Sequence, residues 1–286
     1  MKSFMKSLKE YIAEGLLDRV KNKEVNHDAL IKEFLEENYN INGSYTIKEI
    51  KHKFIVDIKG GVRVKNKNIT SLTNGLFEFG SVDGDFNCSH CNSLKTLKGA
   101  PEKVGRKFDC SNNNSLISLE GAPKECSLFV CSLCRSLTSL KGSPEKVGNF
   151  ECNVCESLKT LEGAPKEVRG NFTCDRCKSL TSLKGAPKEI GKNFYCSGCH
   201  SLTSLEGAPK EVGKDFDCGV CDSLKTLKGA PKEVGGNFYC NNCDSLKSLK
   251  DAPKEVGRDF NCNECGEQFT EEDVRKYTTV AGAIWV

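Results

Sequence analysis

The chain has one tryptophan, two methionines, four histidines and eight prolines in 286 residues. No apolar run comes near the ~18 residues of a membrane-spanning helix, and the longest, such as Phe54-Ile55-Val56, have only strand length. Charge of one sign is also missing: 42 basic and 39 acidic side chains are finely interspersed and leave a net +3. A nucleic-acid groove would need a basic stripe, so neither a nucleic acid nor a membrane is expected as a partner. The Lys-rich N-terminus lacks the apolar segment of a secretory signal. A reducing compartment is therefore expected, and disulfides are not. There is no P-loop, dinucleotide fingerprint or nucleophile–base constellation, and His27, His52 and His90 form no metal-spaced cluster. These absences predict a protein that is not an enzyme and carries no cofactor.

Cysteine is abundant, with 18 copies, and it sits almost wholly inside an internal repeat. From Phe86 onward one unit recurs: F-x-C-x-x-C-x-S-L-x-S-L-x-G-A-P-K-E-V-G-x-N. Its aromatic positions are Phe86, Phe108, Phe129, Phe150, Phe172, Phe194, Phe216, Phe238 and Phe260. The step is 22 residues, except for two steps of 21 that begin at Phe108 and Phe129. Each short step loses one residue between the valine-type position (Cys126, Val147) and the next Phe, which reads as a loop deletion. All eight prolines fall in the unit, one per repeat from Pro101 to Pro253.

Residue type assigns each slot. F-x-C alternates, so Phe and the first Cys share one face of a short strand. The two leucines of S-L-x-S-L return to the same core. Gly-Ala-Pro bars a long helix, because proline fixes its φ and has no donor. The valine after Lys-Glu re-enters the core before a glycine-containing turn. One unit cannot bury its apolar side alone, whereas stacked units can, with strands ~4.8 Å apart in a parallel ladder. The predicted fold is a repeat solenoid of about nine such turns over residues 59–266.

The ends are atypical, as terminal repeats should be. Residues 1–58 do not repeat and read as an α/β cap, with helical spacing over Lys6–Glu14 and Asp28–Leu35 and strands over Ser44–Ile58. Val62–Leu72 looks like a degenerate entering turn. Residues 267–286 read as a second cap. Thr270 followed by Asp273 starts a short helix to about Tyr277, and a strand over Ala281–Val286 carries Trp285.

The recurring C-x-x-C leaves two readings. Paired cysteines fit a zinc-ribbon spacing, which would make Cys152, Cys155, Cys174 and Cys177 one metal set. Against this, the first Cys shares a face with Phe, and Asn113 stands in a second-Cys slot, so buried reduced thiols are the expectation. Cys196–His200 spells the haem-attachment string C-x-x-C-H, but the His200 slot holds Arg, Glu, Lys or Asp in other repeats and is read as surface.

The unit resembles the leucine-rich repeat, L-x-x-L-x-L-x-x-N/C-x-L. Phe, first Cys, second Cys and the next Leu fill the second Leu, third Leu, Asn/Cys and last Leu slots, with one residue added before the final Leu. The resemblance covers roughly residues 60–266, and Asn113 fits it best, because Asn and Cys are the family's residues at that slot. It implies a concave face lined by the residue after each Phe. That column includes Asp109, Glu151, Thr173, Tyr195, Asp217 and Tyr239, together with Asn87, Val130 and Asn261, and it varies within a near-uniform frame. Tyrosine suits an interface, and the preceding Asn/Asp column (such as Asn193 and Asp215) would add a mildly acidic rim. The implied partner is a protein with a basic patch, bound by a monomer.

Met1-Lys2-Ser3-Phe4 and Lys9-Glu10-Tyr11-Ile12-Ala13-Glu14-Gly15 resemble the capsid-targeting leaders of T-even-type phage internal proteins, with a second Met-Lys-Ser inserted. The resemblance implies cleavage of residues 1–14 between Glu14 and Gly15, and residence in the virion interior and then the host bacterial cytoplasm. The repeat is also similar to repeat proteins of large tailed phages. Together these imply a binder of a host defence factor, with a structural component of virion or cell as the alternative.

Overall fold

In a computed structural model that describes residues 26–286, every Phe and the residue after it form a short strand. Each strand pairs in parallel with its counterpart one turn on, Phe against Phe, from Phe86 to Phe260. All nine rings are fully buried and stack with centroids 5.2–5.5 Å apart and planes within 5–30° of parallel. The ladder spacing, ~4.8 Å, sets this distance, and stacking at such separations adds ~0.5–1.5 kcal/mol per pair beyond burial. The first Cys of each repeat and both leucines complete the core, almost all of them with no exposed surface. The eight prolines are buried as well.

The chain is thus a parallel β-solenoid of about ten stacked turns. The nine Phe rungs continue at both ends. Val62-Arg63 pairs with Phe86-Asn87, so the degenerate first turn is in register, and Ile284-Trp285 pairs with Phe260-Asn261. A second ladder runs beside the first. The Glu-Val pairs form two-residue strands of their own, such as Glu189-Ile190, Glu211-Val212 and Glu233-Val234, again in parallel register. Sequence reasoning gave these valines to the core but not to a strand, because two residues after a Pro-Lys show no alternation to read.

The two 21-residue steps explain themselves here. In most turns a bend separates the valine strand from the Phe strand. Where one residue is deleted the bend disappears, and single six-residue strands, Glu125–Val130 and Lys146–Glu151, cross both ladders.

The entering end is closed by α1 (His27–Asn38), β1 (Tyr39–Ile50) and β2 (Lys53–Val64). Asn26 caps α1 by accepting the Ala29 N–H at 3.1 Å, and Ile31 and Leu35 face inward. A two-residue turn, Lys51-His52, both at positive φ, joins β1 and β2 as an antiparallel hairpin. Tyr39 meets Phe79 edge-on, and Phe79 meets Phe86 in the same way, which starts the ring stack. At the other end Thr270 and Asp273 form a reciprocal capping box that starts α2 (Glu271–Arg275), with Val274 buried.

Candidate functional site

Because Phe and first Cys point inward, the residue between them points out. The column that the sequence singled out is therefore one continuous row on the outer face of the Phe ladder. Asn87, Asp109, Val130, Glu151, Thr173, Tyr195, Asp217, Tyr239 and Asn261 are neighbours in that order. Asp109 is buried, and Glu151, Thr173, Tyr195, Asp217 and Tyr239 are half-buried. The register extends the row to Arg63 and to Trp285, an exposed ring two rungs past Tyr239. Sequence reasoning placed Trp285 in a cap and missed this, because the step from Phe260 to Ile284 departs from the repeat length.

Part of the row's composition has a backbone cause. Asn87, Asp109, Asp217 and Asn261 each accept the N–H two residues on, from Ser89, Ser111, Gly219 and Asn263, at 2.8–3.1 Å. Where the row holds Glu151, Thr173 or Tyr195, the same N–H is taken instead by a side chain one turn back: Ser132 for Asn153, Asn153 for Asp175 and Asp175 for Ser197. The column before each Phe is likewise structural. Asn149, Asn171, Asn193, Asp215 and Asn237 each accept the backbone N–H of the next residue in the column, at 2.8–3.3 Å. Its recurrence in nearly every repeat was the signal that it serves the frame.

The electrostatics differ along the row. Asp109 has an internal counter-ion, Lys107 Nζ, 3.2 Å from Oδ2. Glu151 is raised above the usual carboxylate range by burial, then by the nearby Asp109 charge. Toward the C-terminal half no lysine or arginine forms an ion pair with Asp175, Asp215 or Asp217 among the described residues. Burial pushes the Asp175 carboxyl up to about 6 and raises that of Asp217. Tyr195 and Tyr239 are raised by burial and then by Asp215 and Asp217. Thr173, one rung from Tyr195, has a buried hydroxyl oxygen with no hydrogen-bond partner.

The cysteines build the other side of the same strands. Each second-Cys thiol donates to the carbonyl of the first Cys one turn back, for example Cys177 Sγ to Cys152 at 3.2 Å and Cys199 Sγ to Cys174 at 3.3 Å. The sulfur also accepts a backbone N–H from the previous slot residue, as Cys177 does from Cys155. Cys152, Cys155, Cys174 and Cys177 are all buried. Burial pushes the Cys152 thiol up, while contact with the Cys199 and Cys155 thiols, then burial, raises Cys174 and Cys177. Among the described residues no three His, Cys, Asp or Glu side chains are grouped to hold a metal ion. His200 lies at the surface, 2.9 Å from Asp222.

A groove of about 620 Å³ lies elsewhere, along the Val ladder between Glu167 and Ala281. Its floor is Gly191, Gly213, Gly235 and Gly257, where a Cβ would lie 2.0–2.4 Å from the previous turn's carbonyl oxygen. The hollow is the space those missing side chains leave, and its Glu, Val and Gly lining brings no convergent donors together. Glu14 and Gly15, the expected processing site, lie outside the described residues, as does the helix expected over Lys6–Glu14. No protein-family model, curated protein or solved structure matches the chain.

Proposed function

We propose that this protein is a non-enzymatic scaffold that binds a partner protein through the outer face of its Phe ladder. One observation carries the reading: a frame held by repeated hydrogen bonds presents a half-buried row whose residues change from Thr173 to Tyr195, Asp217 and Tyr239 on successive rungs. A core of stacked rings fixes these side chains in space before any partner arrives, which lowers the entropic cost of docking. Tyrosines bring large area with few torsions to freeze, and the acids favour a partner with a basic patch. The leucine-rich-repeat resemblance supports the same use of the strand face.

The N-terminal resemblance extends this to a phage-encoded binder, carried in the head, cleaved after Glu14 and delivered to the host cytoplasm to block a defence factor. Mass spectrometry of purified virions tests that part. A mature chain beginning at Gly15 supports delivery, and an intact Met1 or absence from virions removes it.

The scaffold reading is tested by immobilising the protein and a variant with Tyr195, Asp217 and Tyr239 changed to Ala, then identifying retained bacterial proteins. A partner held by the first and lost by the second supports it. A purely structural component of virion or cell would show equal retention.

A further inference from the structure

Two rungs separate Tyr195 from Tyr239, and Asp217 lies between them in direct register with both. Two ladder steps are about 9.6 Å, so the midpoint lies about 4.8 Å along the ladder from each ring's rung. A cation seated there is within the ~6 Å over which an aromatic face attracts it. Beside Asp217 the neighbouring outward slot is Gly219, where most turns carry Ser, Asn or Asp, and a Cβ there would meet Asn241 Oδ1 at 2.9 Å. The carboxylate therefore sits in a recess walled by two tyrosines.

The protein contains its own example of what this recess lacks. Two residues before Asp109 stands Lys107, and its ammonium pairs with the Asp109 carboxylate at 3.2 Å. The equivalent position before Asp217 is Asp215, which adds negative charge instead, and Asp175 and Asp259 add more from neighbouring turns. Arg176 acts on Asp175 only through space, without an ion-pair contact. Half-burying a carboxylate among other carboxylates without a cation is costly.

We infer that Tyr195, Asp217 and Tyr239 form a receptor for one organic cation, an ammonium or guanidinium group such as ends a lysine or arginine side chain. This rests on the reading of the Phe-ladder face as the docking face and names the chemistry it takes. The two rings approach the cation from either side and Asp217 from below, as Lys107 approaches Asp109 from within the chain.

The test uses the whole protein with ring-labelled tyrosine, titrated with choline and with its neutral isostere 3,3-dimethylbutan-1-ol and followed by NMR. The Tyr195 and Tyr239 signals move saturably with choline and not with the alcohol. Asp217→Asn keeps the hydrogen bond to Gly219, as Asn87 and Asn261 do in the same column, and weakens choline binding on the order of tenfold. Asp215→Lys, which copies the Lys107–Asp109 arrangement, abolishes it. Equal response to choline and the alcohol, or choline affinity unchanged in Asp217→Asn, overturns the inference even if the face still retains a protein. Choline binding without any retained protein supports the receptor while removing the docking reading.

Discussion

Asn113 donates its side-chain amide to the Cys88 carbonyl, one turn back, at 3.0 Å. In the next turn Cys134 Sγ donates to the Cys110 carbonyl at 3.2 Å, the same bond made by a thiol. The equivalence is two-sided. Asn113 Oδ1 accepts the Cys91 N–H, and Cys134 Sγ accepts the Asn113 N–H. An amide and a thiol thus serve one slot because each offers one donor and one acceptor to the turn before it.

Replacing Asn113 by Ala leaves the Cys91 N–H and the Cys88 carbonyl unpaired in a buried site. We expect a loss of about 3 kcal/mol in urea unfolding, since each unsatisfied buried group costs ~1–3 kcal/mol. Asn113→Cys restores both bonds and should cost less than about 1 kcal/mol. Equal losses for the two variants would show that the slot is filled for volume alone.

Val220 has φ +57 and a side chain 42% exposed. The left-handed region is strained for a β-branched residue, and the same slot holds Gly198 and Asn242. Val220→Asn should raise stability by about 1 kcal/mol, and Asn242→Val should lower it by a similar amount. Denaturation midpoints that move together in one direction would remove this account.

Asp175 gives a pH dependence with a defined sign. Its folded carboxyl titrates at about 6, raised by burial from 3.8, so the folded state holds the proton more tightly than the unfolded one. Ionising it therefore costs stability above about pH 6, and the cost is relieved as pH falls from 6 toward 4. Asp175→Asn keeps the bond to the Ser197 N–H and should gain about 1–2 kcal/mol at pH 8, after discounting for partial exposure, and nothing at pH 4. A gain independent of pH would assign the effect to something other than charge.

The thiols should be silent in the native state. Burial or thiol contacts raise them, and Cys265, at the end of the stack, is the one cysteine only half-buried. A thiol reagent should label Cys265 within minutes and all 18 cysteines only after unfolding. Metal analysis of the reduced protein should find less than about one zinc per chain. Several zincs, with unfolding by a chelator, would make the C-x-x-C pairs the site instead.

The frame of this molecule is written in single residues. F-x-C alternation gave the Phe ladder, the proline period gave the turn, and the Thr270–Asp273 pair gave the last helix. The Val ladder was hidden, because Glu189-Ile190 and its equivalents are too short to show a strand period. The outward row could be listed from sequence, but not its division of labour. That Asp217 holds the Gly219 N–H while Asp175 holds that of Ser197 depends on which turn each side chain reaches. The lone charge at Asp217 became visible only beside Lys107–Asp109, since both motifs read simply as polar residues flanking a Phe.

The six-residue strands Glu125–Val130 and Lys146–Glu151 have a mechanical consequence. They share five registered residue pairs, where Phe172–Thr173 and Phe194–Tyr195 share two. In a stack whose turns touch only their neighbours, disruption travels along one axis like a zipper. A front opening from the Trp285 end crosses turns that are alike until it reaches this double-width seam. There it must break both ladders at once. A pulling experiment would meet a clasp at that place, and the turns on either side of it could open and reclose as separate lengths.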